Sequence, residues 1–245
     1  MFFNIIKKFI FPNRCIVCDE VLPYGFALEN EYLCDKCKSK LEFIKEPTCK
    51  KCGAMIKEVD GTYCNRCQAK MWDSYSYGFG ILRYNEFVKE SIHRIKYNGR
   101  KEYLGFYGKC IAKIYKNKFK EISPEYLIPV PIHDARLRER NYNQAEVLAE
   151  AISRELENYG IDIPVNSELI YRTKNTRVLN KLDNADRGNE LKDAFLVSDV
   201  SDIEKVIIVD DIYTTGSTIN NIAKTLKNAG IKEVYFVAIA IVDNL

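Results

Sequence analysis

The segment Val206-Ile207-Ile208-Val209-Asp210-Asp211-Ile212-Tyr213-Thr214-Thr215-Gly216-Ser217-Thr218 constrains the fold of this chain more than any other. Four branched aliphatics in a row suit a strand buried on both faces. Two carboxylates follow, where that strand is expected to end. Thr214 to Thr218 then offer small side chains and backbone N–H groups to one concavity. Ile219, Ile222, Ala223 and Leu226 recur at helical spacing, and Gly230 stands where a helix stops. The order is strand, polar loop, helix. A loop at a helix N-terminus cradles anions, because unpaired N–H groups and the helix dipole both favour phosphate. Carboxylates beside such a cradle suit a ligand that also carries sugar hydroxyls and a magnesium ion. A plain Ser/Thr cap needs no pair of aspartates before it.

These thirteen residues resemble the phosphoribosyl pyrophosphate (PRPP) motif of type I phosphoribosyltransferases: an aliphatic strand, two acidic residues, a spacer, then Thr-Gly-x-Thr. The resemblance implies that Asp210 and Asp211 hold the ribose hydroxyls. It implies that Thr214, Thr215, Gly216, Ser217 and Thr218 hold the ribose phosphate. Some purine-using relatives carry a third aspartate before the Thr-Gly that assists the base. Here that position is Thr214, and no general base is visible there.

At 245 residues the chain is long enough for one sizeable α/β core and a small satellite domain. No apolar run reaches the eighteen residues of a membrane span, so no stable membrane insertion is expected. The apolar start, Met1 to Pro12, is broken by Lys7 and Lys8 and has no cleavage site after it. It reads as a short helix packed on the body, with a membrane-surface anchor as the alternative. The net charge is only +3, yet residues 76–142 carry 14 basic and 7 acidic groups, an excess of 7. An anionic partner is drawn there.

Nine cysteines are present, and eight form Cys-x-x-Cys pairs: Cys15/Cys18, Cys34/Cys37, Cys49/Cys52 and Cys64/Cys67. Without a signal peptide a reducing compartment is expected, and metal binding outweighs disulfides. Each pair forms a knuckle, and two knuckles complete a closed tetrahedral site. Residues 13–70 therefore read as two zinc ribbons holding about two structural zinc ions. Sequential pairing is the simplest arrangement, with a cross-braced one as the alternative. Gly53 directly follows Cys52, as a knuckle with a left-handed residue requires. With few large apolar residues between the pairs, the module is not expected to fold without metal. Cys110 is left over in a helical stretch and reads as buried and inert.

Beyond the ribbons, Tyr75, Tyr77, Phe79 and Ile81 alternate and suggest a strand opening the second domain. Packing is the plainer role for these aromatics; together with Trp72 they also suit stacking on bases. A helix through Phe87, Val88, Ile92 and Ile95 ends at Lys96-Tyr97-Asn98-Gly99-Arg100, where Lys96 and Arg100 are placed to face phosphate. Residues 102–120 form a second helix, basic on its outer face. Tyr126 to Ile132 form a strand that enters a loop, His133 to Asn141. That loop carries Arg136, Arg138 and Arg140, which suit a pyrophosphate, at a strand end where open parallel sheets bind ligands. His133 reads as an exposed, inert loop residue. A helix through Val147 to Tyr159 follows, then a strand at 169–172. The long polar loop Thr173–Arg187 reads as a lid, with Arg172, Lys174 and Arg177 making its front basic. A short strand at 195–197 and a last strand at 234–242, expected to close the sheet, complete the chain. Strands alternating with helices imply a parallel α/β sheet.

Val130-Pro131-Ile132 and Arg140-Asn141-Tyr142-Asn143-Gln144-Ala145, with Leu148-Ala149, resemble the Val-Pro-x-Pro … Arg-Gly-Phe-Asn-Gln … Leu-Ala signature of ComF-type proteins. Arg172, Thr176, Leu182, Arg187, Asn189 and Ala194-Phe195 continue the pattern. Asn141 stands where that family usually has Gly, and Leu179 where it usually has Gln. The resemblance implies two zinc ribbons (1–72) before a type I phosphoribosyltransferase domain (73–245). It implies a cytoplasmic protein of natural competence that binds PRPP with magnesium. Pro131, Ile132 and Arg136 would join the PRPP site, and Arg136, Asp210 and Asp211 would carry any catalysis, with pyrophosphate displaced. The alternative is a non-catalytic PRPP sensor whose ribbons and basic block bind single-stranded DNA or a partner protein, such as a DNA-uptake helicase or another competence protein. The altered Thr214 and Leu179 lean towards it.

Overall fold

The computed structural model describes residues 12–23, 32–57, 62–70, 73–172 and 194–243. In order these form α1 (Asn65–Lys70), β1 (Gly78–Arg83), α2 (Glu86–Tyr97), α3 (Tyr103–Ile122), β2 (Tyr126–Pro129), α4 (Asp134–Arg140), α5 (Gln144–Glu157), β3 (Ile170–Arg172), β4 (Phe195–Val197), β5 (Lys205–Tyr213), α6 (Ser217–Asn228) and β6 (Glu233–Ile241). Four strands pair in parallel in the order β1-β6-β5-β2. β5 and β6 are inner strands covered on both faces, and Val206 to Val209 are all 0% exposed. No helix among the described residues is long and apolar enough to cross a membrane.

Alternation along β5 feeds two cores. Ile207 and Val209 face one, with α2, α3, α5 and the first ribbon's Ile16, Val17 and Leu33. Val206 and Ile208 face the other, with α6, β3, β4 and the second ribbon's cysteines. The chain between the ribbons covers the β1 edge of the sheet: Phe43 bridges Leu82, and the Ile44 N–H donates to Ile81 O at 2.9 Å.

Several segments differ from their sequence reading. β5 runs to Tyr213, so Asp210 and Asp211 lie inside the strand, hydrogen-bonded beside β6, rather than at its end. The stretch His133–Asn141 contains a short helix, α4, rather than a loop. The last strand, β6, does not close the sheet at an edge but lies between β1 and β5. β3 and β4 leave the parallel sheet and pair with each other antiparallel. Tyr75 packs as its plainer reading held, 0% exposed and edge-on against Phe236, which leaves the alternative of base stacking without a face there. The N-terminal segment to Phe11, Trp72 and the loop residues Lys174, Thr176, Arg177, Leu179, Leu182, Arg187 and Asn189 lie outside the described residues.

Candidate functional site

The eight paired cysteines gather into two clusters, Cys15/Cys18/Cys34/Cys37 and Cys49/Cys52/Cys64/Cys67, each with its sulfurs within 4.8 Å of one another. The pairing is sequential, not cross-braced. Tetrahedral zinc with Zn–S bonds of about 2.3 Å places its sulfurs about 3.8 Å apart. The Sγ–Sγ distances are 3.8 Å for Cys18–Cys34 and 3.7 Å for Cys52–Cys64, so both clusters fit the ion. Cys110 is half-buried and apart from both; burial pushes its thiol up to about 11.

The first knuckles of the two ribbons, at Cys15/Cys18 and at Cys49/Cys52, fold alike. The Asp19 N–H donates to Cys15 O and the Gly53 N–H to Cys49 O, each at 2.8 Å, with Asp19 at φ 61° and Gly53 at φ 73°. Their docking differs. Asp19 receives the Arg100 guanidinium, with Nη2 at 3.0 Å from Oδ2 and Nε at 2.9 Å from Oδ1, and the Tyr103 hydroxyl also donates to it. Arg100 therefore anchors a ribbon rather than facing phosphate. At Gly53 a Cβ would lie 2.8 Å from Gly78 O and 2.9 Å from Phe79 Cα, so only glycine lets this turn reach β1. The Gly78 N–H donates to Lys51 O at 2.9 Å. Arg66, on α1, donates to Val242 O and lies over the Tyr213 ring. The second ribbon therefore rests on the end of β5, two residues past Asp211.

The residues that the sequence reads as a phosphate cradle sit at the C-terminal ends of β2 and β5. The Val130 N–H donates to Val209 O at 2.9 Å, so Pro131 and Ile132 leave the sheet beside Asp210. Gly216 takes φ 81° as the N-cap of α6 and no side chain caps that helix. Its first N–H groups are thus offered to a ligand. Thr214 is exposed, and Thr215 Oγ1 lies 2.9 Å from Ser217 Oγ.

The two aspartates have different surroundings. Burial, then the neighbouring charge of Asp211, pushes the Asp210 carboxyl well above the usual range. Burial also pushes Asp211 up, but its ion pair with Lys96 outweighs this and holds it below that range. Lys96, which the sequence placed towards phosphate, pairs with a carboxylate instead. Burial, then the charge of Arg136, lowers Arg172, while Asp210 opposes the shift. Arg136, Arg172 and Asp210 are therefore electrostatic neighbours. Arg172 reads in the sequence as a basic residue before a loop and as part of the family pattern, not as a site residue; the packing of β3 and β4 with Val206 and Ile208 brings it in. Arg140 donates to Gln144 Oε1 at 3.1 Å and Tyr97 Oη at 3.2 Å, and its charge adds to that of Lys96 in holding Asp211 down. Asn141 takes φ 64° as the C-cap of α4, which accounts for Asn where Gly is usual, since Asn tolerates the left-handed region best after Gly. His133 is not idle: its Nδ1 accepts from the Ala135 N–H at 3.2 Å and caps α4.

Residues 6–68 match the double zinc ribbon domain family and residues 128–244 the phosphoribosyl transferase domain family. The chain is 29% identical over 232 residues to Competence protein ComFC of Streptococcus pneumoniae, covering 90% of this chain and 96% of that protein. It is 41% identical over 115 residues to Competence protein F of Haemophilus influenzae, covering 45% of this chain and 48% of that protein. To the DNA utilization protein YhgH of Escherichia coli O157:H7 it is 30% identical over 142 residues, covering 57% and 60%. The match thus spans about half to three fifths of the Haemophilus and Escherichia proteins and nearly all of the Streptococcus one. The chain is a homologue of the ComF/ComFC competence proteins, a double zinc ribbon joined to a phosphoribosyltransferase domain.

Proposed function

We propose that the chain binds PRPP with magnesium and acts in the cytoplasm in the uptake or use of DNA during natural competence. The observation that carries this reading is the uncapped N-terminus of α6 beside Asp210, Arg136 and Arg172. An anion there meets backbone N–H groups, and its charged end meets guanidinium groups. Asp210 and Asp211 would hold the ribose and face the ion. Bound magnesium supplies charge neutralisation of the pyrophosphate. In catalysis an acceptor bonds to the anomeric carbon as its bond to the pyrophosphate oxygen breaks, and Arg136 steadies the departing anion. Asp210→Asn with Asp211→Asn is expected to cost roughly 3–6 kcal/mol of PRPP affinity, for two charge-assisted bonds, with the fold intact. Calorimetry checks this, and unchanged affinity in the folded double variant refutes the assignment. Pyrophosphate release with a panel of acceptors tests the chemistry.

A second reading is a PRPP sensor that holds single-stranded DNA or a competence partner such as an uptake helicase. The exposed Thr214, which offers no base, favours it, as do the exposed Lys113 and Lys120 on α3. Lys116 and Lys118 belong to this surface less, because they lie over Tyr159 and against the Tyr77, Phe79 and Tyr115 rings. A low-salt anisotropy titration without DNA binding removes the DNA part of this reading and leaves a PRPP enzyme or a sensor that acts through protein partners.

A further inference from the structure

α3 and α5 cross closely because Gly108 has no side chain: a Cβ there would meet Ala151 Cβ at 2.6 Å. One turn earlier, Gly105 has a different surrounding. A Cβ on it would meet nothing within 4 Å. Its smallness therefore serves no packing, although glycine is the poorest helix former after proline. It borders a cavity of about 360 Å³ between the two helices, near the lower end of the usual range for ligand sites. Lys109 and Lys113, four residues apart on α3, share a helix face and line this cavity, and Arg154 lines it from α5. None of the three makes a salt bridge or hydrogen bond with another described residue. Glu155 is the one acid in the lining. Phe106 and, from the first ribbon, Tyr32 add aromatic walls. Cys110 in the lining stays a neutral thiol at pH 7 and cancels none of this charge. Arg154 lies ten residues along α5 from Gln144, about 15 Å from the end nearest the phosphate cradle.

We infer that this cavity is a second anion site that takes a nucleotide, its phosphate on Lys109, Lys113 and Arg154 and its base against Phe106 and Tyr32. Cations around a phosphate and an aromatic face for a base are the two parts of nucleotide recognition. A free nucleotide and the phosphorylated end of a strand share that chemistry. The site is independent of the PRPP reading.

The test is calorimetry on the full, zinc-loaded chain in excess PRPP and magnesium, with dTMP, a 5′-phosphorylated oligo-dT and inorganic phosphate as probes. dTMP or the oligonucleotide is expected to bind, and inorganic phosphate at least about tenfold more weakly for want of the base. Binding of dTMP makes the occupant a free nucleotide; binding of the oligonucleotide alone makes it a strand end. Gly105→Leu fills the cavity and suits a helix better, so it should cut affinity at least about tenfold without lowering Tm. Lys109→Gln with Lys113→Gln should weaken binding and flatten its salt dependence. Absence of binding by every probe overturns the inference. So does unchanged affinity in Gly105→Leu with its fold intact.

Discussion

The first knuckles of the two ribbons share one backbone turn and differ in the residue at its left-handed position, Asp19 in one and Gly53 in the other. That residue decides how each ribbon docks. The aspartate keeps a side chain and joins α3 through charge, by Arg100 and Tyr103. The glycine gives up its side chain and joins β1 through backbone contact. The burial follows: all four cysteines of the second cluster are buried, while Cys18 and Cys34 of the first are half-exposed. A left-handed turn admits Gly and Asp or Asn alike, so the same local fold serves a tight contact or an ionic one.

The largest effect expected from this contrast is on metal. Cys52→Ser with Cys64→Ser should halve a zinc content of about two ions and destabilise the fold by several kcal/mol, because metal binding here is folding energy. PRPP affinity should fall with it, since this ribbon rests on Tyr213 at the end of β5. Cys18→Ser with Cys34→Ser should remove the other ion and leave PRPP affinity within about threefold, well under one charge-assisted bond. Equal losses of PRPP binding in the two variants would break the comparison; metal analysis and calorimetry together decide it.

Next in size is Gly53→Ala. The positive φ and the clash with Gly78 O and Phe79 Cα should together cost about 2–4 kcal/mol by denaturant unfolding. Asp19→Gly keeps the turn and loses the charged bonds, at about 1.5–3 kcal/mol. The two differ in their salt response. The worth of Asp19 should shrink between 0.1 and 1 M salt, where screening shortens from about 10 to 3 Å, while that of Gly53 should not move. The smallest effect is Tyr213→Phe, which leaves the buried Tyr75 hydroxyl without its 2.9 Å partner and should cost about 1 kcal/mol in Tm-derived stability.

The sequence disclosed what local chemistry dictates. Val206 to Val209 announced an inner strand because burial on both faces demands unbroken aliphatics. The cysteine spacing announced both metal centres. α4 escaped notice because none of its residues is buried, so no apolar period marks it. Asp134 in its first turn and Asn141 at its C-cap were the available signal. The β3–β4 pair escaped because three-residue strands 22 residues apart in sequence carry no mark of their partner. In the candidate site, the sequence pattern placed Asp210 towards the C-terminal end of β5 and Arg136 just past β2. The Lys96–Asp211 pair and the approach of Arg172 were not, because both depend on how separate elements pack over the sheet. Tyr75 packs as its plainer reading held, but the alternation placed it on a strand that begins only at Gly78.

The placement of β6 between β1 and β5 bears on how the chain is made. β1 pairs within the sheet only with β6, the sheet's last strand in chain order. While a ribosome extends the chain at about 5–20 residues per second, β1 and the second ribbon's knuckle against it wait for a partner that has not been synthesised. Each zinc cluster, by contrast, draws all its ligands from fewer than 25 consecutive residues. An ion bound at either cluster would therefore organise this part of the nascent chain before β6 emerges, and the sheet would close on it.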